Sequence, residues 1–240
     1  MNYIDSHVHI GQDRGGIAAD LDDIDQMMAD SQVEKAVVFC LNEVEGIAHG
    51  NERIKDIVRQ RDDLAGLFRI DPAQHSPDDL RGIDWAAGFK MHPRSQDFSM
   101  QQVYAHLETI ADEDKPVLIH TGGWGHKDRG HPREIIEAAR VHRDTTVIAA
   151  HNTKGYYFQA SDDDIDDIKQ CDNLCIETSL HCTPLGIETL VNDLGSERVL
   201  FGSDYPYGHP VPMENNVELA DIDDDQAADV ARENAKRLFF

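Results

Sequence analysis

The stretch Tyr3-Ile4-Asp5-Ser6-His7-Val8-His9 decides the reading of this chain. Its composition predicts a strand, and side chains alternate across a strand. Asp5, His7 and His9 then share one face, while Ile4, Val8 and Ile10 turn toward whatever packs outside. Two imidazoles on one face at the end of a strand make half of a metal site. The bland alternative is a pair of partly exposed histidines on an edge strand, because His-x-His also arises by chance.

Later apolar runs repeat the theme. Strands are expected at 3–9, 33–41, 64–70, 86–92, 116–120, 145–151, 173–179 and 198–204. Helical patterns fall between and after them, at 20–30, 46–61, 78–82, 100–112, 132–141, 162–170, 184–193 and 224–239. Several strands are continuous apolar runs, as in parallel sheets covered on both faces. Alternation of strand and helix argues for a parallel sheet, and the count of eight argues for closure. The expected fold is therefore α/β, a (β/α)8 TIM barrel in a single domain over residues 1–240, close to the usual length of that barrel. The loops at 11–16, 92–99, 121–130 and 205–216 follow strands and would lie on the face that carries chemistry.

Lys and Arg number 22 against 46 Asp and Glu, a formal net charge of −24. The acid is dispersed rather than gathered in a tail, which suits a hydrated surface of the kind found in high-salt cytoplasm. Such a surface opposes binding to nucleic acid or to an anionic membrane. Cys40, Cys171, Cys175 and Cys182 form no Cys-x-x-Cys pair and read as thiols of a reducing, cytoplasmic compartment. No apolar run approaches the roughly 18 residues of a membrane span. Strand one begins too early to leave room for a signal peptide.

The expected strands end in polar residues: His7 and His9, Lys90 and His92, His120, His151, and Asp204. In a barrel these ends converge on one mouth. Three imidazoles and a carboxylate, His7, His9, His120 and Asp204, suit one divalent ion with an open position. Zinc fits best, with manganese or another divalent ion as alternatives. Such an ion lowers the pKa of a bound water toward about 7. His151, one strand over, then serves as base or proton shuttle.

Six stretches carry a family resemblance: Asp5-Ser-His7-Val-His9, Gly88-Phe-Lys90-Met-His92-Pro93, Leu118-Ile-His120-Thr-Gly122, Ala150-His151, Phe201-Gly-Ser-Asp204-Tyr-Pro206 and Glu233-Asn-Ala-Lys-Arg-Leu-Phe239. Together, in barrel order, they resemble the amidohydrolase superfamily, in the branch of aminocarboxymuconate-semialdehyde decarboxylase. The resemblance implies a metal-dependent barrel with ligands at His7, His9, His120 and Asp204 and a catalytic role for His151 and Asp204.

Other residues carry weaker signals. Lys90 could be carboxylated and bridge two metals, remain an ammonium at the site, or simply line the rim. His92 shares its face and could touch substrate or make a structural hydrogen bond. Arg69 and Arg94 would suit a substrate carboxylate, or pair with surface acids. Trp124 sits in a glycine-rich loop that could close over the site. Glu177 and Ser179 could hydrogen-bond substrate or the groups behind the ligands. Leu238 and Phe239 are expected to seal the barrel.

The leading function is a metal-dependent hydrolase of a small organic substrate, an amide, lactone or cyclic ester. The alternatives are a non-oxidative decarboxylase on the same site, a TatD-like deoxyribonuclease, and an inactive metal-binding scaffold. The deoxyribonucleases carry Gly-Glu-x-Gly where this chain has Gly88-Phe-Lys90, and the acidic surface disfavours a polyanion. The expected partner is a small molecule; a homo-oligomer stays open.

Overall fold

The computed structural model describes residues 1–41, 44–122, 129–151, 162–180 and 183–240. Among them one sheet runs in the order β2-β1-β3-β4-β5-β6-β7-β8-β9. The strands are β1 (Tyr3–Gln12), β2 (Ala18–Ala19), β3 (Val33–Cys40), β4 (Leu64–Arg69), β5 (Ala86–Met91), β6 (Val117–Ile119), β7 (Val147–Ala149), β8 (Leu174–Glu177) and β9 (Val199–Leu200). All neighbours pair in parallel except β2, a short antiparallel addition to the end of β1.

The chain beyond β9 returns to β1 and closes the ring. Ser6 N donates to Phe201 O at 3.0 Å, Asp204 N to His7 O at 3.0 Å, and His9 N to Tyr205 O at 2.8 Å. A parallel bridge joins Val8 to Tyr205. Eight parallel strands thus form the expected (β/α)8 barrel, with helices outside.

Inward side chains from most of the strands meet in one apolar cluster that includes Ile4, Val37, Leu67, Leu118, Ile148 and Leu200. Phe239, with Leu238 beside it, packs against this cluster and seals the barrel. Outward side chains such as Phe89, Ile119 and Ile176 pack under the helices.

Several local expectations need correction. Ile4 faces inward, with Leu118 and Leu200, while Val8 and Ile10 face outward. Register shifts before Ile4 and between Asp5 and Val8 break the simple alternation. Asp5 therefore does not join His7 and His9 at the mouth: its Oδ1 accepts from His7 N and Ser203 N, each at 3.0 Å, at the seam. β6, β7 and β9 are shorter than expected, and the ladder stops before His120, His151 and Asp204. His151 and Asp204 adopt φ of 59° and 60°, which turns the chain out of the strand. The stretch 205–216, expected to be loop, contains most of a helix, Pro210–Glu218, whose first position suits proline. The closing helix is interrupted by a π turn, Asp229–Glu233.

Candidate active site

Two residues above the apolar interior, the inward positions become polar. Leu67 is followed by Arg69, Leu118 by His120 and Cys175 by Glu177, because inward positions recur every second residue. His7 and His9 arrive from β1, Lys90 from β5, and Ser179 just after β8. The ring of Phe39 forms the floor, with centroids 5.1 Å from His7 and 4.5 Å from His9.

His7 lies between two carboxylates. Its Nδ1 is 2.8 Å from Glu177 Oε2, and its Nε2 is 3.0 Å from Asp204 Oδ1. The first contact is a hydrogen bond, whereas His7 Nε2 has none. His9 Nε2 approaches the same Asp204 oxygen at 2.9 Å, and its Nδ1 is buried without a partner among the described residues. Donor atoms of His7, His151 and Asp204 lie within 4.8 Å of one another. On the far side, His151 Nδ1 meets Ser179 Oγ at 2.7 Å, and His151 Nε2 meets His120 Nδ1 at 3.1 Å. His92 stacks on His120 at 3.8 Å between centroids.

Burial and Lys90 disfavour a charged His7, but Asp204 and Glu177 outweigh them and raise its pKa. Burial opposes ionisation of Asp204, yet the facing imidazoles hold its carboxyl well below the usual range. Burial lowers His9 to about 4 and holds His120 and His151 well below their ordinary value. Those three rings are neutral near pH 7 and keep lone pairs for a cation or a proton. Burial also lowers Lys90 to about 7. Its Nζ sits 4.8 Å over the Phe39 ring with no hydrogen-bond partner among the described residues.

The donor set fits a divalent cation. Imidazole nitrogens and a carboxylate oxygen converge, and the short His7–Asp204 approach carries no hydrogen bond. Of the expected ligands, His7, His9 and Asp204 touch one another; His120 reaches them through His151. Among the described residues, the group whose donor atoms lie within 4.8 Å of one another contains His151 in place of His9 and His120.

The expected substrate residues divide. Lys90 and His92 are in the cluster. Arg69 is buried, but its guanidinium donates to the Cys40 and Leu41 carbonyls and to Ser95 Oγ, and among the described residues its Nε has no partner. Arg94 is exposed on the short helix Pro93–Gln96, outside the buried cluster. Trp124 lies outside the described residues, as does Cys182; Cys40, Cys171 and Cys175 are buried and free. No helix among the described residues is long and apolar enough to cross a membrane.

Two contributors escaped the sequence reading. Phe39 was visible only as an inward position of an apolar strand. Gly202 was visible only as part of a turn-like motif, yet a Cβ there would run into the Glu177 carboxylate.

A closed parallel barrel with imidazoles and a carboxylate gathered at the C-terminal ends of its strands defines a class of barrel enzymes. Residues 4–240 match the family model described as amidohydrolase, and the chain belongs to that family. No curated protein matches the sequence itself. Among solved structures, it is similar to 2,6-dihydroxybenzoate decarboxylase from Rhizobium, with 14% identity over 99% of this chain and 98% of that one and a TM-score of 0.75. A proposed 2-pyrone-4,6-dicarboxylic acid hydrolase from Pseudomonas putida gives 15% identity over 99% and 97%, with a TM-score of 0.75. A dihydroxybenzoic acid decarboxylase from Polaromonas sp. JS666, with bound manganese, gives 16% over 100% and 97%, with a TM-score of 0.72.

Proposed function

We propose that this protein is a metal-dependent hydrolase of a small organic substrate, an amide, lactone or other cyclic ester. The observation that carries this reading is the approach of His7 Nε2 to Asp204 Oδ1 at 3.0 Å without a hydrogen bond, beside two further imidazoles. His7, His9, His120 and Asp204 would hold the ion, zinc or manganese. When bound, a divalent cation supplies Lewis acidity and a water acidic enough to act near neutral pH. His151, kept neutral by burial, would give up its contact with His120 to take a proton from the attacking water on Nε2 and return it to the leaving group. Glu177 orients His7 through Nδ1, so that Nε2 faces Asp204. Lys90 offers an N–H donor to a substrate oxygen.

Decarboxylation of a small carboxylic acid is the second reading. Arg69 and Lys90 are register partners across β4 and β5, and Arg69 Nε and Lys90 Nζ are both buried without partners among the described residues. A substrate carboxylate would satisfy both. Two of the similar structures are decarboxylases and one a proposed hydrolase.

The test is elemental analysis of the purified protein followed by turnover on lactones, amides and carboxylated aromatics, with carbon dioxide monitored. About one metal per chain and hydrolysis without gas supports the first reading. Carbon dioxide release replaces it with the second. A protein that takes up no metal and turns over nothing in the panel overturns both.

A further inference from the structure

We infer that Glu177, acting through Ser179, is a positioning residue that fixes the tautomers of three active-site histidines at once. The inference deepens the reading of this mouth as the reactive site, although its test does not depend on that reading. Glu177 Oε2 receives two groups: His7 Nδ1 at 2.8 Å and Ser179 Oγ at 2.9 Å. Its Oε1 accepts from Ser179 N. A carboxylate held by N–H donors in this way is ionised and can only accept.

Donor and acceptor counting then settles the direction of every later bond. The only proton between Ser179 Oγ and Glu177 Oε2 is that of the hydroxyl, so Ser179 donates to Glu177. Its oxygen is left as an acceptor, and the group facing it, His151 Nδ1 at 2.7 Å, must carry the proton. A neutral His151 protonated on Nδ1 has a lone pair on Nε2. That lone pair faces His120 Nδ1 at 3.1 Å, so His120 also carries its proton on Nδ1. The chain of donation runs from His120 to His151 to Ser179 to Glu177, and His7 joins from the other side.

The consequence is specific. His120 keeps Nε2 free and His7 turns Nε2 toward Asp204, while both nitrogens of His151 are engaged. The same carboxylate thus separates two imidazoles able to ligate a cation from one whose lone pair already holds a hydrogen bond. Ser179, with no proton to lose or gain, is the link that carries the instruction across.

The test is nitrogen-15 NMR of histidine side chains in the full-length protein, as purified and after zinc addition. Wild type should show protonated Nδ1 at His7, His120 and His151. Ser179→Ala should leave His7 protonated on Nδ1 and abolish the single Nδ1–H form of His151 and His120. Ser179→Thr, which keeps the hydroxyl, should restore it. The inference is overturned if His151 in wild type carries its proton on Nε2, or if Ser179→Ala leaves the His151 and His120 tautomers unchanged. The wild-type spectrum decides even if the alanine variant folds poorly. Wild-type tautomers as expected in a protein without metal or turnover would defeat the proposed function and leave this network standing.

Discussion

Asp204 Oδ1 stands 3.0 Å from His7 Nε2 and 2.9 Å from His9 Nε2, so one carboxylate oxygen faces two imidazoles from the first strand. Removing it takes the only charged donor from the proposed ligand set. Asp204→Ala should lower metal content and abolish turnover together. His151→Asn should keep its metal and lose rate by roughly 10²–10⁴-fold. Metal analysis and turnover on both variants check this. Metal lost from His151→Asn and retained by Asp204→Ala would reverse the two roles.

Gly202 gives access to the same centre from behind. A Cβ at this position would run into the Glu177 carboxylate, which holds His7. Gly202→Ala should weaken zinc binding by about 10–100-fold, as displacement of a group behind a ligand does. Competition with a chelating dye measures it; unaltered affinity would show that Glu177 does not need its place.

Lys90 sets a pH dependence of stability. Burial lowers its amine from 10.5 to about 7, against the pull of Asp204 and Glu177. Between those values the unfolded chain holds a proton that the folded protein has released, so stability rises with pH across that window. The cost is full at and below the folded value. In chelator-treated protein, Lys90→Met should raise the melting temperature most near neutral pH and progressively less toward pH 10.5. A gain that is the same at both ends counts against a buried, depressed amine.

Phe239 closes the bottom of the barrel against the cluster that contains Ile4, Leu118 and Leu200. Phe239→Ala leaves a cavity there and should cost roughly 3–5 kcal/mol, read from denaturant unfolding. A loss under about 1 kcal/mol would mean that the last turn is frayed in solution.

The formal charge of −24 predicts self-repulsion that salt relieves. The screening length falls from about 10 Å at 0.1 M to about 3 Å at 1 M salt. Melting temperature should therefore rise in molar potassium chloride. A flat or falling trend would remove the high-salt reading of this surface.

Much of the barrel was legible because inward positions recur every second residue and change from apolar to polar at the same height, as in Leu118 and His120. The recurrence of polar residues at the ends of the expected strands placed His7, His9, Lys90, His120 and Asp204 at one mouth. What residue types encode only weakly is backbone handedness. His151 and Asp204 reach the cluster through left-handed conformations, which histidine and aspartate adopt more readily than most residues, but neither type marks the position at which it does so. The irregular register around Asp5 was equally hidden, which is why Ile4 and Asp5 were assigned to the wrong sides. Arg69 shows a third limit: its type suggested a carboxylate, but its strand end lies against the open Cys40 and Leu41 carbonyls.

The ring closes where the chain's beginning meets its end: His9 and Asp204 are in contact across 195 residues. A nascent chain stopped short of β9 has the histidines and Glu177 but not Asp204, the carboxylate shared by His7 and His9, so the mouth is completed last. An ion gripped by His7, His9 and Asp204 would work as a buckle, fastening the first strand to the last. The unfolded chain would have to give up a very long loop to keep that grip, and the restraint gained grows with loop length. The ion proposed for chemistry would then also be the clasp that keeps the barrel from opening at its seam.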